Sequence, residues 1–211
     1  MKNLDKKTLV LTCIITLLPI LLGLGFYSEL PARIAIHWGL NNEPNGWAGK
    51  NFFVFGIPVL MVLLQILCLL GTSRKRNPEE PLPKMMKVIV WFLPVLTMVL
   101  YIVTMAVALG NAIDIRKVVC LLLGVLFIVT GNYIPKISYN NRNMINIPAQ
   151  PENESVWRVF SRMMGITFMV EGALVLVSMF FPPMVTVLAI ALLVGLLIGL
   201  SFYGSSLSGK K

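Results

Sequence analysis

Residues able to do chemistry are few in this chain, and they fall in three places. One stretch holds the chain's single histidine, as Ile36-His37-Trp38, and continues to Gly46-Trp47 and Lys50. The second is Gly131-Asn132-Tyr133-Ile134-Pro135-Lys136, and the third is one acid, Glu171, inside an apolar run. A lone histidine without a second His, a Cys or an acid pair is a weak metal or catalytic site. HExxH, GxSxG and phosphate-loop motifs are absent. We therefore predict no enzyme activity, no catalytic residue, no metal and no cofactor.

Six apolar runs must position these residues. Each is close to the ~20 residues that cross a bilayer as a helix. Strands of this length would leave open edges in lipid, so helices are predicted. The sequence thus predicts an all-α polytopic protein of the cell membrane, with six transmembrane helices in one bundle. The predicted spans are Thr8–Tyr27, Phe52–Gly71, Val88–Leu109, Val118–Ile134, Met163–Phe181 and Met184–Tyr203.

Basic residues are distributed unevenly over the connections between these runs. If the amino terminus is cytoplasmic, all but four of the 18 Lys and Arg residues lie on the inner side. This bias follows the positive-inside rule and predicts that both termini are cytoplasmic. Attraction to anionic lipid explains the basic excess, so the bilayer is the predicted partner and nucleic acid is not. The outer four are Arg33, Lys50, Arg116 and Lys117.

The longer outer connection, Ser28–Asn51, predicts a small extended or hairpin-like loop between the first two helices. Ile34, Ile36 and Trp38 would share one face by the two-residue period of a strand. Asn45-Gly46 favours a tight reversal. Trp38 and Trp47 suit either an aromatic belt at the headgroups or contact with a ligand. For His37 a structural hydrogen bond is favoured over catalysis, although histidine changes charge near neutral pH.

The longer inner connection, Pro135–Arg162, follows the Asn-Tyr-Ile-Pro motif. Tyr133 and Lys136 suit interfacial anchors, and Asn132 is predicted to cap or bridge helices. Further on, Trp157 lies at helical spacing from Phe160 and Met164, while Arg158 and Arg162 are four residues apart. This pattern predicts an amphipathic lead-in to the fifth span or, alternatively, a partner-binding helix.

Three further features lie inside the predicted spans. Glu171 is either a functional group or an acid that only fixes packing, with Asn132 and Thr167 as suggested partners. Prolines in the first three spans predict kinks, with or without mechanistic meaning. Gly195 and Gly199 form a GxxxG, which serves either packing within the chain or a homodimer contact, so the oligomeric state stays open. The prolines are Pro19, Pro58 and Pro94.

Two groups of motifs resemble a known family. Leu30-Pro31, Ile36-His37-Trp38, Gly46-Trp47 and Lys50 resemble the domain of unknown function that often precedes the SdpI domain. Gly131–Lys136, together with Glu154, Val156-Trp157 and Arg162, resembles the SdpI domain itself. The resemblance implies an amino-terminal two-helix region (residues 1–71), a basic, proline-containing cytoplasmic linker (72–87) and an SdpI-like four-helix region (88–211).

The resemblance also implies a function. The family's namesake is a bacterial immunity protein that protects a cell from its own secreted antimicrobial peptide and sequesters a cytoplasmic repressor. For this chain, toxin contact is expected at Ile36, His37, Trp38, Gly46, Trp47 and Lys50. The expected inner-face positions are Asn132, Tyr133, Pro135, Lys136, Glu154, Trp157 and Arg162.

This chain departs from the family pattern on the inner connection. Met144–Ala149 stands where the family carries an Ile-Arg-Thr-Pro-Trp-like stretch, and Ser161 replaces a histidine. The expectation of signalling is therefore weaker than that of immunity. The alternative function is a small proton-coupled transporter or membrane sensor that uses Glu171.

Overall fold

The computed structural model describes residues 6–74, 83–145, 151 and 153–208. Within these ranges, six helices are long and apolar enough to cross a membrane. The predicted all-α, multi-pass membrane fold is confirmed, and the placement of both termini in the cytoplasm stays a prediction. The six spans are Lys6–Gly25, Phe52–Gly71, Lys84–Ala108, Ile115–Lys136, Glu154–Ser178 and Pro183–Gly204.

The chain forms two compact units. The first contains the chain up to Ser73 and Val90–Val119, and the second contains Arg74–Ile89 and the chain from Cys120 onwards. All three boundaries between the units therefore fall inside helices. The predicted division at residues 71 and 88 stays a prediction, and residues 75–82 of the predicted linker lie outside the described residues.

In the first unit, α1 (Lys6–Leu17) and α2 (Pro19–Gly25) lead into strands β1 (Arg33–Trp38) and β2 (Pro44–Gly49). A π-helical turn, Phe52–Gly56, then opens into α3 (Ile57–Arg74). Pro19 cannot donate a backbone hydrogen bond, which explains the break between α1 and α2. Pro58 is the second residue of α3, where its missing N–H is tolerated close to the π-helical turn.

The third proline, Pro94, lies inside α4 (Lys84–Ala108), which continues through it. A proline four residues on leaves the Val90 carbonyl without its usual helical donor. The buried Gln65 of α3 supplies the replacement, because its Nε2 donates to the Val90 oxygen at 3.0 Å. This bond between helices explains how the membrane interior tolerates the break.

The core of the first unit joins the base of the strands to the π-helical turn before α3 and to α4. It contains Leu30, Ile34, Phe53, Val54, Tyr101 and Met105. The Phe53 and Tyr101 rings stack with their centroids 4.5 Å apart. Gly23 of α2 lies directly against the Tyr101 hydroxyl, where a Cβ would collide with it. The strands are therefore anchored in the same apolar core as the helices.

The second unit contains most of α5 (Ile115–Tyr133), followed by two 3-10 turns, Ile134–Lys136 and Tyr139–Met144. Helices α6 (Glu154–Ser178) and α7 (Pro183–Ser208) complete it. The predicted amphipathic lead-in is continuous with the fifth span. Residues 146–149 of the stretch that departs from the family pattern lie outside the described residues.

Facing glycines bring α5 and α6 into close contact. A Cβ on Gly131 would lie 2.6 Å from the Gly165 carbonyl oxygen, and one on Gly172 would lie 2.6 Å from the Gly124 carbonyl oxygen. The contacts recur after seven residues on each antiparallel helix, so the glycines form one line along the helix pair.

The predicted GxxxG of α7 does not pack in this way. Among the described residues, nothing lies within 4 Å of a Cβ built on Gly195 or Gly199. Within the part of the chain that the structure describes, the motif therefore makes no close helix contact, and its role stays a prediction.

Candidate functional site

The hairpin, Arg33–Gly49, is the predicted extended loop. Its strands pair antiparallel, with Ala35 opposite Trp47 and Trp38 opposite Pro44. Ile34 is buried and Ile36 packs against the core of the first unit, as the strand period predicts. Register shifts after Ala35 and after His37 interrupt that period, so the predicted common face does not extend regularly to Trp38.

The predicted reversal at Asn45-Gly46 is wrong, since both residues lie within β2. The chain turns at residues 39–43, where the Gly39 N–H donates to the Glu43 carbonyl at 2.9 Å. Asn42 adopts a φ of 63° there. Asparagine tolerates this left-handed conformation better than most residues, which explains the turn's position.

His37 and Gly46 face each other across the strands. The exposed His37 ring shares a hydrogen bond between its Nδ1 and the side-chain oxygen of Asn45. A Cβ on Gly46 would lie 2.8 Å from the His37 Cβ, so glycine leaves room for the imidazole. This geometry supports the structural role favoured for His37.

Two apolar side chains lie on the exposed part of the hairpin, among exposed polar residues. The Trp47 side chain on β2 is 51% exposed, and Leu40 in the turn is 57% exposed. Trp38 is half-buried. These side chains can contact either lipid headgroups or an apolar ligand.

Lys50 holds the base of the hairpin. Its ammonium donates to the carbonyl oxygens of Tyr27 at 3.0 Å and Leu30 at 3.1 Å, just after α2. It also lies 4.5 Å from the centroid of the Tyr27 ring, whose hydroxyl is hydrogen-bonded to Asn51. A cation suits carbonyls that follow a helix end. These internal contacts support a positioning role for Lys50.

Asn42 attaches the tip of the hairpin to the start of α5. Its side-chain oxygen accepts from the Ile115 N–H at 2.8 Å, and its Nδ2 lies 3.4 Å from the Ile113 oxygen. The first N–H groups of a helix lack acceptors within it, so Asn42 caps α5 from a distant part of the chain. Asn42 lies among turn-forming residues, and no local sequence pattern indicates that it caps a helix more than 70 residues away.

The Gly131–Lys136 segment packs on Trp157. That indole is 1% exposed, and its Nε1 donates to the Ile137 oxygen at 3.0 Å. The surrounding core includes Met85, Met86, Ile134, Ile137, Met144, Phe160 and Met164. Pro135 lies against Gly165, where a Cβ would be 2.7 Å from its Cγ. Trp157 and Pro135 thus hold the turns against α6.

The polar positions of this segment lie on its surface. Asn132 is exposed and accepts from the Lys136 ammonium at 3.3 Å, so this bond stays within the segment and does not bridge helices. Lys136 also lies 4.8 Å from the centroid of the half-buried Tyr133 ring. Glu154 and Arg162 on α6 are exposed. The structure thus separates a buried Trp157 from an accessible polar rim.

Glu171 is 1% exposed within α6. Neither suggested partner bonds its Oε1, which has no hydrogen bond to any residue that the structure describes. Asn132 is exposed at the end of α5. The hairpin, the Trp157 segment and Glu171 are therefore three distinct features, and the last is unexplained by packing alone.

A protein family and a known immunity protein both match this chain. The family described as a domain of unknown function (DUF1648) matches residues 14–62, a range that includes the whole hairpin. The immunity protein SdpI of Bacillus subtilis is 24% identical over 216 residues, which cover 97% of this chain and 100% of that protein. The resemblance to the SdpI family is confirmed. No solved structure gives a significant match. The similarity to SdpI extends through the hairpin, the Gly131–Lys136 segment and α6.

Proposed function

We propose that this membrane protein is an immunity protein, which protects its cell from a membrane-active antimicrobial peptide. The similarity to SdpI along 97% of the chain carries the proposal. An immunity protein of this kind needs no catalytic group, and it must meet the peptide at or within the bilayer. Full-length similarity supports a shared role for the whole chain.

The hairpin is the proposed contact for the peptide. Its exposed Trp47 and Leu40 offer apolar surface at the end of a span, and Trp is frequent among the residues that dominate binding. Asn42 and Lys50 hold this surface to the first unit through four side-chain hydrogen bonds. A pre-ordered surface loses little entropy on binding, which favours affinity.

The test is survival of a peptide-sensitive strain that expresses the chain, challenged with the secreted peptide to which the relative confers immunity. Wild-type protein should raise the inhibitory concentration above the empty vector. Trp47→Ala should remove most of that gain, because truncating a dominant aromatic anchor costs about 2 kcal/mol or more. Trp91→Ala, at a 38% exposed tryptophan of α4, is the matched control and should keep the gain.

No gain with well-expressed wild-type protein would contradict immunity toward that peptide. Equal protection by Trp47→Ala and wild type would instead contradict the hairpin contact while leaving immunity in place.

Sequestration of a cytoplasmic repressor is a second proposed role. Exposed Lys84, Lys87, Arg158 and Arg162 surround the buried Trp157 core, which gives a basic rim suited to an acidic protein surface. A fluorescent fusion of the relative's repressor should move to the membrane in cells that express this chain, once peptide is added. A charge-reversed Arg158→Glu, Arg162→Glu variant should leave it in the cytoplasm. Recruitment that this variant does not reduce would refute the basic rim as the docking site.

A further inference from the structure

A single acid lies deep inside a membrane span of the second unit. Glu171 is seven residues from the end of α6, about 10 Å along the axis. It is 1% exposed, and its Oε1 has no hydrogen-bond partner among the described residues. A carboxylate ionised at such depth costs several kcal/mol unless it is paired or hydrated.

The packing of the second unit shows which groups face this acid. Since Gly124 faces Gly172 and Gly131 faces Gly165, the α5 stretch opposite Glu171 is residues 124–128. That stretch is Gly-Val-Leu-Phe-Ile and has no titratable side chain. On α7, the bond of Ser178 to Thr186 places Glu171 opposite the apolar residues around 193.

Charged and titratable groups lie further along these elements. Arg162 precedes Glu171 by nine residues, about 13 Å along α6. Lys136 and Tyr133 lie beyond the Gly131–Gly165 contact, and Cys120 lies a full turn beyond Gly124 in the other direction. Tyr203, Lys84 and Lys87 lie towards the Trp157 end of the unit. Among the described residues, no ion pair involves Glu171.

We infer that Glu171 is a proton-binding site at the α5–α6 contact, which the folded protein keeps occupied at neutral pH. A neutral carboxyl avoids the cost of a buried charge and can still donate one hydrogen bond. Glu171 directly precedes Gly172, whose Cα lies against the Gly124 carbonyl. Loss of the proton would place a charge beside this dry contact and favour its opening to water. The inference does not depend on the immunity proposal.

Dicyclohexylcarbodiimide, an apolar reagent that reacts with protonated carboxyls, probes this site. The carboxyl proton moves to one reagent nitrogen while the carboxyl oxygen bonds to the central carbon. Rearrangement to the N-acylurea then keeps every atom, so the adduct adds the full reagent mass. The full chain is treated at pH 7 in phosphatidylcholine–phosphatidylglycerol vesicles, and the labelled peptide is identified by mass spectrometry.

We expect an adduct at Glu171 that weakens as the pH rises and is lost in Glu171→Gln. The matched control, Glu154→Gln at the exposed start of α6, should leave the adduct unchanged. Infrared spectroscopy of the same samples supplies a measurement that needs no reagent access. Wild type should show the carbonyl stretch of a protonated carboxylic acid, which Glu171→Gln removes and Glu171→Asp shifts. Absence of that band at pH 7 would overturn the inference, with or without labelling.

Discussion

The glycine line between α5 and α6 predicts that adding a methyl group at Gly131 destabilises the protein more than adding one at Gly195. The GxxxG motif of α7, considered alone, would predict the opposite. In Gly131→Ala, the new methyl group would lie 2.6 Å from the Gly165 oxygen and 2.8 Å from the Met169 backbone nitrogen. Both obstacles are backbone atoms, which cannot rotate away. Gly195→Ala is the matched control, because its methyl group would meet nothing within 4 Å among the described residues.

The magnitudes separate the two variants. Replacing glycine by alanine within a helix stabilises by about 1 kcal/mol in both cases. Overpacking costs about 1–3 kcal/mol, and only Gly131→Ala incurs it. The melting temperatures should therefore differ by about 2–12 °C, at about 2–4 °C per kcal/mol for a chain of this size.

The assay is thermal unfolding in detergent, followed with a dye that becomes fluorescent on reaction with thiols. Cys120 is buried on α5, with its Sγ 4.0 Å from the Thr186 hydroxyl of α7, whereas Cys13 and Cys68 are half-buried. With Cys13 and Cys68 replaced by serine, the thiol reaction reports the loss of packing around α5. Gly131→Ala should melt at or below wild type, and Gly195→Ala above it. Equal melting of the two variants would refute the close glycine contact as the determinant of this packing.

Three further predictions concern side chains that replace missing backbone partners. Asn42→Ala should lower the free energy of unfolding by about 1–3 kcal/mol, because it leaves the Ile115 N–H unpaired, and hydrogen exchange in the hairpin should become faster. Asn42→Asp should keep the bond and the slow exchange, so equal exchange in both variants would count against capping. Gln65→Leu should lower the melting temperature, because it leaves the Val90 carbonyl without a hydrogen-bond donor. Adding Pro94→Ala restores the helical N–H to that carbonyl, so the double variant should recover most of the loss, and no recovery would contradict the replacement bond. Trp157→Phe should cost about 1 kcal/mol through the bond to Ile137, measured by unfolding in denaturant, and an unchanged midpoint would exclude that contribution.

Local sequence pattern was enough to predict the membrane spans and the presence of a hairpin, but not the position of its turn. Apolar length specifies a helix in lipid wherever it occurs, because every backbone group must be paired inside the segment. Turn-forming residues fill positions 41–46, and Asn45-Gly46 carries the strongest local turn signal among them, yet the chain turns at residues 39–43. Asn45 and Gly46 lie within β2, in the part of the hairpin where the strand register is shifted.

The glycines show what local sequence pattern cannot predict. Gly195 and Gly199 match a known packing motif, but no described residue lies close to them. Gly124, Gly131, Gly165 and Gly172 do not form that motif, and they make the close contacts. Which glycine meets another backbone depends on how the helices are oriented, and a spacing along one helix does not contain that information.

The sequence by itself determined that this chain crosses the membrane six times, carries a hairpin between the first two spans and resembles the SdpI family. Those conclusions follow from local composition, periodicity and motifs. Only the tertiary structure decided that Asn42 caps α5, that Gln65 bonds the carbonyl freed by Pro94 and that the Glu171 Oε1 is buried without a partner among the described residues. Each of these depends on atoms that are distant in the chain and meet only when the helices pack.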